Sequence, residues 1–218
     1  MWPTVVKNLS LGLFQGSLGT LAQMSMYLSP DTRTRLPHLV TAVLVAGAVI
    51  SLTLLKGFFS IGGLWDPSTH NLRSVDLVLF NGFSDAPIWY GPILNSLGNV
   101  VMFVPVGFLA IVLSTRLAGQ GSFAAGGRIR DRLGALIIGV FGALAAGAVL
   151  SLTIEITQFV FALGYTDVDD LLWNTLGAGL GGWAAVSMRA ELRSYASWVF
   201  GGAAALVVLL MLSGLATG

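Results

Sequence analysis

The sequence predicts an all-α protein, a polytopic transmembrane helical bundle with five spans and one additional N-terminal helix. Of the 218 residues, 55% are hydrophobic and only 10% are charged, whereas a soluble domain usually carries about a quarter charged residues. The mean hydropathy is +0.83. Apolar stretches also recur at close to the roughly 20 residues that a helix needs to cross a bilayer core. The net charge of +1 gives no basic surface for nucleic acid.

Five apolar stretches have the length of a membrane span or come close to it. A further stretch at about 8–28 is interrupted by Gln15, Gln23 and several glycines. We expect it to form an interfacial or half-inserted helix, with a true sixth span as the alternative. The chain then divides into an N-terminal helix (1–30) and a transmembrane bundle (31–218). The five predicted spans cover about 38–56, 95–115, 133–163, 171–188 and 196–216.

The arginines predict the orientation of the bundle, because basic loops stay on the cytoplasmic side. The 116–132 loop holds four arginines and one acid, so we place it inside. Arginine pairs at 33/35 and 189/193 agree with that assignment. The 57–94 connection and the 164–170 loop then lie outside. We expect "SVDLVLF", 74–80 within the outer connection, to lie flat on the membrane or to fold back over the bundle.

The residue types also exclude some chemistry. There are no cysteines, so disulfides, thiol catalysis and thiolate metal sites are excluded. The two histidines, His38 and His70, are far apart in sequence and form no metal-ligand pair.

Polar residues in the third predicted span fall on one helix face. Ser151, Glu155 and Gln158 are spaced by four and then three residues, which aligns them on a helix. An ionisable group in a spanning helix is costly and is a functional-site candidate by default. We therefore treat Glu155 as a site residue.

Polar residues of two neighbouring spans are expected at the same outer level. Asp167, Asp169 and Asp170 open the fourth span, where carboxylates cap free N–H groups and favour the helix dipole. Asn174 follows one turn later, and Asn99 lies about one turn into the second span. Three helices would thus bring polar groups together at the outer end of the bundle.

These residues also have purely structural interpretations. Asp169 can be a helix cap and nothing more. Asn99 and Asn174 can be interhelical hydrogen-bonding residues, and the spacing of Gly177 and Gly181 favours close helix packing.

Three ordered segments of the chain resemble the VanZ-like family of integral membrane proteins. "LNSLGNVVMFVPVGFL" is similar to an N-x-x-x-F-x-P-x-G signature, and "LSLTIEITQF" to an S-x-x-x-E-x-x-Q helix. "DVDDLLWNTLGAGLGG" is similar to D-x-D-D-x-x-x-N-x-x-G. The matching residues are Asn99, Phe103, Pro105 and Gly107, then Ser151, Glu155 and Gln158, then Asp167, Asp169, Asp170, Asn174 and Gly177.

The chain also departs from the family pattern. The family usually has an arginine shortly before the acid cluster, where this chain has Gly164 and Tyr165. Arg73 in the outer connection is the candidate to replace it. The resemblance implies a multi-pass protein of the bacterial cytoplasmic membrane, in a family named for resistance to the glycopeptide teicoplanin.

The first functional hypothesis is a binding or modulating protein of the cell envelope. Asn99, Gln158 and Asn174 would supply amide donors and acceptors, and Glu155 and the aspartates would recognise ammonium or hydroxyl groups. The ligand would be a lipid-linked cell-wall precursor, a lipid headgroup or a glycopeptide, presented at the lipid bilayer. No cofactor is required by the sequence.

The alternative hypothesis is a membrane-embedded enzyme that acts on a lipid-linked envelope substrate. Glu155 and Asp170 would be its catalytic candidates, acting as general acid or base. Glu155, Asp167 and Asp170 are the candidates for holding a divalent cation such as Mg²⁺ or Ca²⁺. A proton-coupled transporter ranks third, because the polar groups cluster at one side and no inverted repeat is visible.

Overall fold

A computed structural model describes residues 30–54, 73–84, 89–117 and 129–217. The chain separates into two compact units, Met1–Pro37 and His38–Gly218. The predicted N-terminal helix at 8–28 lies outside the described residues. All contacts discussed below belong to the second unit.

A helix lies at each of the five positions where the sequence predicts a span, which confirms the all-α bundle. The helices are α1 (Pro30–Thr53), α2 (Gly91–Leu117), α3 (Ile129–Phe161), α4 (Val168–Ser187) and α5 (Ala190–Thr217). α2 continues through Pro105 without ending there.

Four of the five helices are long and apolar enough to cross a membrane. In the described part of the chain these segments are Leu36–Thr53, Gly91–Thr115, Leu133–Phe161 and Ala190–Ser213. Large apolar side chains on them are exposed, among them Ile138 at 75% and Val149 at 67%. Lipid would cover these apolar side chains. The backbone of each helix tolerates lipid because its N–H and C=O groups are hydrogen-bonded within the helix. The protein is therefore a multi-pass membrane protein.

α4 is the helix that falls short of this apolar composition, and it is packed against both α2 and α3. Its buried residues are mostly glycine and alanine. A side chain at Gly177 or Gly181 would collide with the backbone of α2 at Val100 or Val104. Small residues let two helices approach closely where no side chain intervenes. The small residues of α4 thus allow it to lie close to both α2 and α3.

Two short strands join the outer connection to the loop before α4, a feature the sequence analysis did not predict. β1 (Arg73–Asp76) pairs in parallel with β2 (Gly164–Asp167). The register sets Arg73 opposite Gly164. The backbone of Arg73 therefore lies beside a position where the family pattern has its arginine.

The segment after β1 is attached to the first turns of α4. A 3-10 helix at Asn81–Phe83 follows Phe80, and the Phe80 ring makes an edge contact with Trp173 at 6.2 Å. The Phe80 N–H also donates to the Asp169 carboxylate. Phe80 thus contacts the bundle at the start of α4, and the choice between a segment lying flat on the membrane and one folding back over the bundle stays a prediction. Leu77 and Val78 remain largely exposed.

Candidate functional site

Polar side chains from three helices meet around a cavity of about 260 Å³. The end of α1 closes the fourth side with Leu52 and Thr53. The cavity lies beside the last turns of α1 and α3 and the first turns of α2 and α4. Its polar lining outside α1 consists of Asn95, Asn99, Glu155, Gln158, Asp170 and Asn174.

Asp170 joins α4 to α2. Its Oδ1 accepts hydrogen bonds from the side-chain amides of both Asn95 and Asn99. Those two asparagines are four residues apart and therefore share a face of α2. Asp170 also lies in the first turn of α4, where the helix dipole favours a negative charge. The carboxylate is thus held at a fixed place in the cavity wall.

Glu155 joins α3 to the start of α4. It is 5% exposed, and its Oε2 accepts from the backbone N–H of Asp167 at 2.9 Å. The Thr166 hydroxyl donates to the Glu155 carbonyl at 3.2 Å. Glu155 faces the bundle interior, where a backbone N–H supplies the partner that lipid would not.

Two buried amides in the cavity wall have acceptor oxygens with no protein partner. Asn174 donates through Nδ2 to the Ser151 hydroxyl at 2.9 Å, and Gln158 donates through Nε2 to the Thr53 carbonyl at 3.2 Å. Asn174 Oδ1 and Gln158 Oε1 accept from no protein group. Each residue is at most 3% exposed. Unsatisfied buried polar atoms are rare and costly, so both oxygens are suited to accept from a ligand.

Three of the predicted site residues do not line the cavity. Ser151 is fully buried behind Asn174. Asp167 is the N-cap of α4, and its Oδ1 accepts from the Asp169 N–H at 2.8 Å. Asp169 accepts from the Phe80 N–H, and the Phe80 nitrogen lies 3.0 and 2.9 Å from its two carboxylate oxygens. Phe80 has a left-handed φ of 62°, and this contact fixes it there.

The acids around the start of α4 perturb Asp167. Burial raises the pKa of Asp167 to about 6, and the negative charges of the nearby aspartates add to the rise. The hydrogen bond from the Asp169 N–H opposes it. A fraction of Asp167 is therefore protonated near neutral pH.

Two polar groups that line the cavity were not predicted from the sequence, Asn95 and the Thr53 carbonyl. Asn95 had a usable signal, because it lies one turn before Asn99 on the same face. The Thr53 carbonyl had none. It belongs to the last turn of α1, where carbonyls have no partner within the helix, and only the packing of α3 brings Gln158 to it.

The candidate metal ligands are not gathered into a cluster. Among the described residues, no group of three or more His, Cys, Asp or Glu side chains is placed to hold a metal ion. The set of Glu155, Asp167 and Asp170 therefore does not form such a group. Two of these acids bind backbone N–H groups at the start of α4. Glu155 accepts from the Asp167 N–H, and Asp167 accepts from the Asp169 N–H.

The cavity favours a ligand that donates hydrogen bonds. The described residues that line it include two acids, Glu155 and Asp170, and no lysine, arginine or histidine. The unpartnered oxygens of Gln158 and Asn174 are also acceptors. Carboxylate and amide oxygens bind ammonium, hydroxyl and amide N–H groups.

Comparison with known proteins places these residues in a family context. A profile described as VanZ/LLP1 matches residues 42–189, which includes every residue of the polar cavity. The chain is also 35% identical to Protein VanZ of Enterococcus faecium over 133 residues, which covers 61% of this chain and 63% of that relative. The match thus spans less than two thirds of the relative's length. No solved structure matches the chain. The extent of the profile match shows that this multi-pass membrane protein belongs to the VanZ/LLP1 family.

Proposed function

We propose that this protein is a component of the bacterial cytoplasmic membrane that binds the polar part of a cell-envelope ligand and thereby modulates susceptibility to glycopeptides. The ligand would be a lipid headgroup, a lipid-linked cell-wall precursor or the glycopeptide itself. Family membership supports the association with glycopeptide resistance, and the 35% identity to Protein VanZ adds to it.

The observation that carries the binding role is the pair of buried acceptors. Gln158 and Asn174 line the cavity, and Gln158 Oε1 and Asn174 Oδ1 accept from no protein group. Leaving such an atom unsatisfied costs about 1–3 kcal/mol. A ligand that donates an N–H or O–H to each would recover much of that cost and would gain affinity in proportion.

Charge supports the same class of ligand. Glu155 and Asp170 line the cavity, and the other described residues that line it include no lysine, arginine or histidine. A ligand with an ammonium, amide or hydroxyl donor fits these groups. A ligand recognised through a bare phosphate would meet repulsion. The outward orientation of the cavity follows from the arginine distribution and is part of the proposal.

The test is teicoplanin susceptibility in a Gram-positive host that expresses the protein from a plasmid. Gln158→Leu removes one unpartnered acceptor, together with the hydrogen bond to the Thr53 carbonyl, and keeps a side chain of similar size. Thr153→Val is the matched control, because the Thr153 hydroxyl is exposed and bonds only within its own helix at Val149. We expect Gln158→Leu to abolish any protection that the wild-type protein gives, and Thr153→Val to retain it.

Membrane abundance of each variant is measured alongside, so that loss of protein is not mistaken for loss of binding. Glu155→Gln adds a further comparison. An amide oxygen still accepts a hydrogen bond, so a binding role predicts a partial loss. If Glu155 were a catalytic acid or base, Glu155→Gln would instead reduce the reaction rate by about 10²–10⁴-fold. If Gln158→Leu at normal abundance protects as well as wild type, the proposed binding role is wrong.

A further inference from the structure

The segment that follows β1 presents an apolar surface at the end of the bundle where α4 begins. We call residues 77–83 the outer apolar segment. It contains no charged residue, and all five of its large apolar side chains are between 45% and 75% exposed. They are Leu77, Val78, Leu79, Phe80 and Phe83. A contiguous apolar patch of this kind usually marks a contact with another protein or with a membrane.

The backbone of the outer apolar segment is hydrogen-bonded within the protein. Four of its seven residues donate their N–H groups to protein acceptors. The Val78 N–H donates to the Asp76 carboxylate at 2.9 Å, and the Phe80 N–H donates to a carboxylate at the start of α4. The N–H groups of Asn81 and Phe83 donate to carbonyls three residues earlier. Water could satisfy these groups but lipid could not, so the arrangement suits a segment that leaves water.

The outer apolar segment also continues an exposed apolar stripe on α4. Leu176, Leu180 and Trp183 are exposed, and their spacing of four and then three residues places them on one helix face. Trp173 lies at the outer end of this face, three residues before Leu176, and the Phe80 ring contacts it at 6.2 Å. Since α4 is packed beside two candidate membrane spans, lipid is the environment of its exposed stripe.

Aromatic residues at the start of α2 mark the same level of the bundle. Trp89 and Tyr90 are exposed and directly precede α2. Asn95, about one turn further, is hydrogen-bonded to Asp170 in the first turn of α4. Tryptophan and tyrosine are enriched at the boundary between the membrane and water. The start of α4, to which the outer apolar segment is attached, therefore lies near that boundary.

A charge next to the segment limits how deeply it can insert. Asp76 directly precedes Leu77, and hydrogen bonds from the Val78 N–H and from the Asn81 side chain lower the pKa of Asp76. Asp76 is therefore ionised near neutral pH. A carboxylate in the hydrocarbon core is costly, so the segment can enter the headgroup layer and the acyl boundary without reaching the core.

We propose that the outer apolar segment inserts into the interfacial layer of the lipid bilayer and anchors the start of α4 there. In the predicted orientation this is the outer leaflet. The bilayer fits as the partner because the surface of the segment continues the lipid-facing stripe of α4 and because its backbone has acceptors within the protein. The anchor does not use the polar cavity, so its test is independent of the proposed function.

The experiment attaches a nitroxide to a single cysteine in the full chain, which has no native cysteine, in nanodiscs of phosphatidylcholine and phosphatidylglycerol. Leu77→Cys and Leu79→Cys report on the segment. Val149→Cys, exposed on α3, is the lipid reference, and Arg189→Cys, between α4 and α5, is the water reference. Depth is measured from collisions of the nitroxide with oxygen, which concentrates in lipid, and with a nickel chelate, which stays in water. We expect both segment labels to lie about 5–10 Å into the boundary between headgroups and acyl chains.

Leu77→Glu tests whether lipid provides this burial. Leu77 is largely exposed, so the substitution leaves the contacts with the bundle in place. The added charge should move the label at position 79 toward water. Leu77→Ala is the matched control, because it removes volume without adding a charge, and it should leave the depth of that label unchanged. Circular dichroism of both variants checks that the helix content is kept.

Any of three results would overturn the inference. Nickel accessibility at both segment labels equal to that of Arg189→Cys would place the segment in water. Labels shielded from both oxygen and nickel would show that protein covers the segment in place of lipid. An unchanged depth at position 79 in the Leu77→Glu variant would show that lipid does not provide the burial.

Discussion

The contact between α2 and α4 depends on Gly181, and replacing it with alanine should destabilise the bundle. A methyl group built at Gly181 would collide with the Val104 carbonyl oxygen and would lie 2.8 Å from the Phe108 nitrogen. These are backbone atoms, which cannot rotate away as a side chain can. The two helices would have to separate along the interface that also carries the Asp170–Asn99 hydrogen bond.

The magnitude follows from two opposing terms. Overpacking a buried contact costs about 1–3 kcal/mol, and a rigid backbone partner puts Gly181→Ala at the upper end. Alanine is favoured over glycine in a helix by at most about 1 kcal/mol. The net loss should be about 2 kcal/mol. Gly142→Ala on α3 keeps only the favourable term, because no atom lies within 4 Å of its added Cβ. The two variants should therefore differ by about 3 kcal/mol.

Both variants can be compared by reversible unfolding in mixed micelles, with dodecyl sulfate as denaturant and helix content followed by circular dichroism. The same substitution at the two sites cancels the helix-propensity term, so the difference reports the interhelical contact. If Gly181→Ala is as stable as Gly142→Ala, α2 and α4 do not approach as closely as described, and the cavity between them loses its basis.

Three further predictions test the outer end of the bundle. Burial raises the pKa of Asp167 to about 6, so the folded state binds a proton that the unfolded state has lost, and the free energy of unfolding falls as the pH rises from about 4 to 6. At pH 7 the free energy of unfolding of Asp167→Asn should exceed that of wild type by about 1–2 kcal/mol, after allowance for the partial exposure of Asp167. At pH 4 thermal unfolding should give the two proteins equal stability. Asp169→Ala should accelerate amide hydrogen exchange at Phe80, whose N–H loses its carboxylate acceptor, and unchanged exchange would contradict that role. In intact cells an impermeant thiol reagent should label Tyr165→Cys and not Gly121→Cys, and the reverse pattern would invert the predicted orientation.

The positions of the helices were predictable from the sequence because hydrophobicity is a local property. An apolar run near the thickness of the bilayer core specifies a span wherever it occurs, and a helix was found at each of the five positions. Spacing likewise aligned Ser151, Glu155 and Gln158 on one face, because a helix repeats every 3.6 residues. The small residues of α4 indicated close packing without naming the partner helix.

Only the tertiary structure decided which polar groups share a cavity. Asn95 and Thr53 line it, although neither was predicted. Asp167 instead caps α4, and Asp169 accepts from the Phe80 N–H. The β1–β2 pairing was equally invisible in the sequence. Helical spacing fixes which residues share a face of one helix. How each helix is rotated against its neighbours is set by interhelical packing and hydrogen bonds between residues as far as 105 positions apart, and no local pattern encodes those.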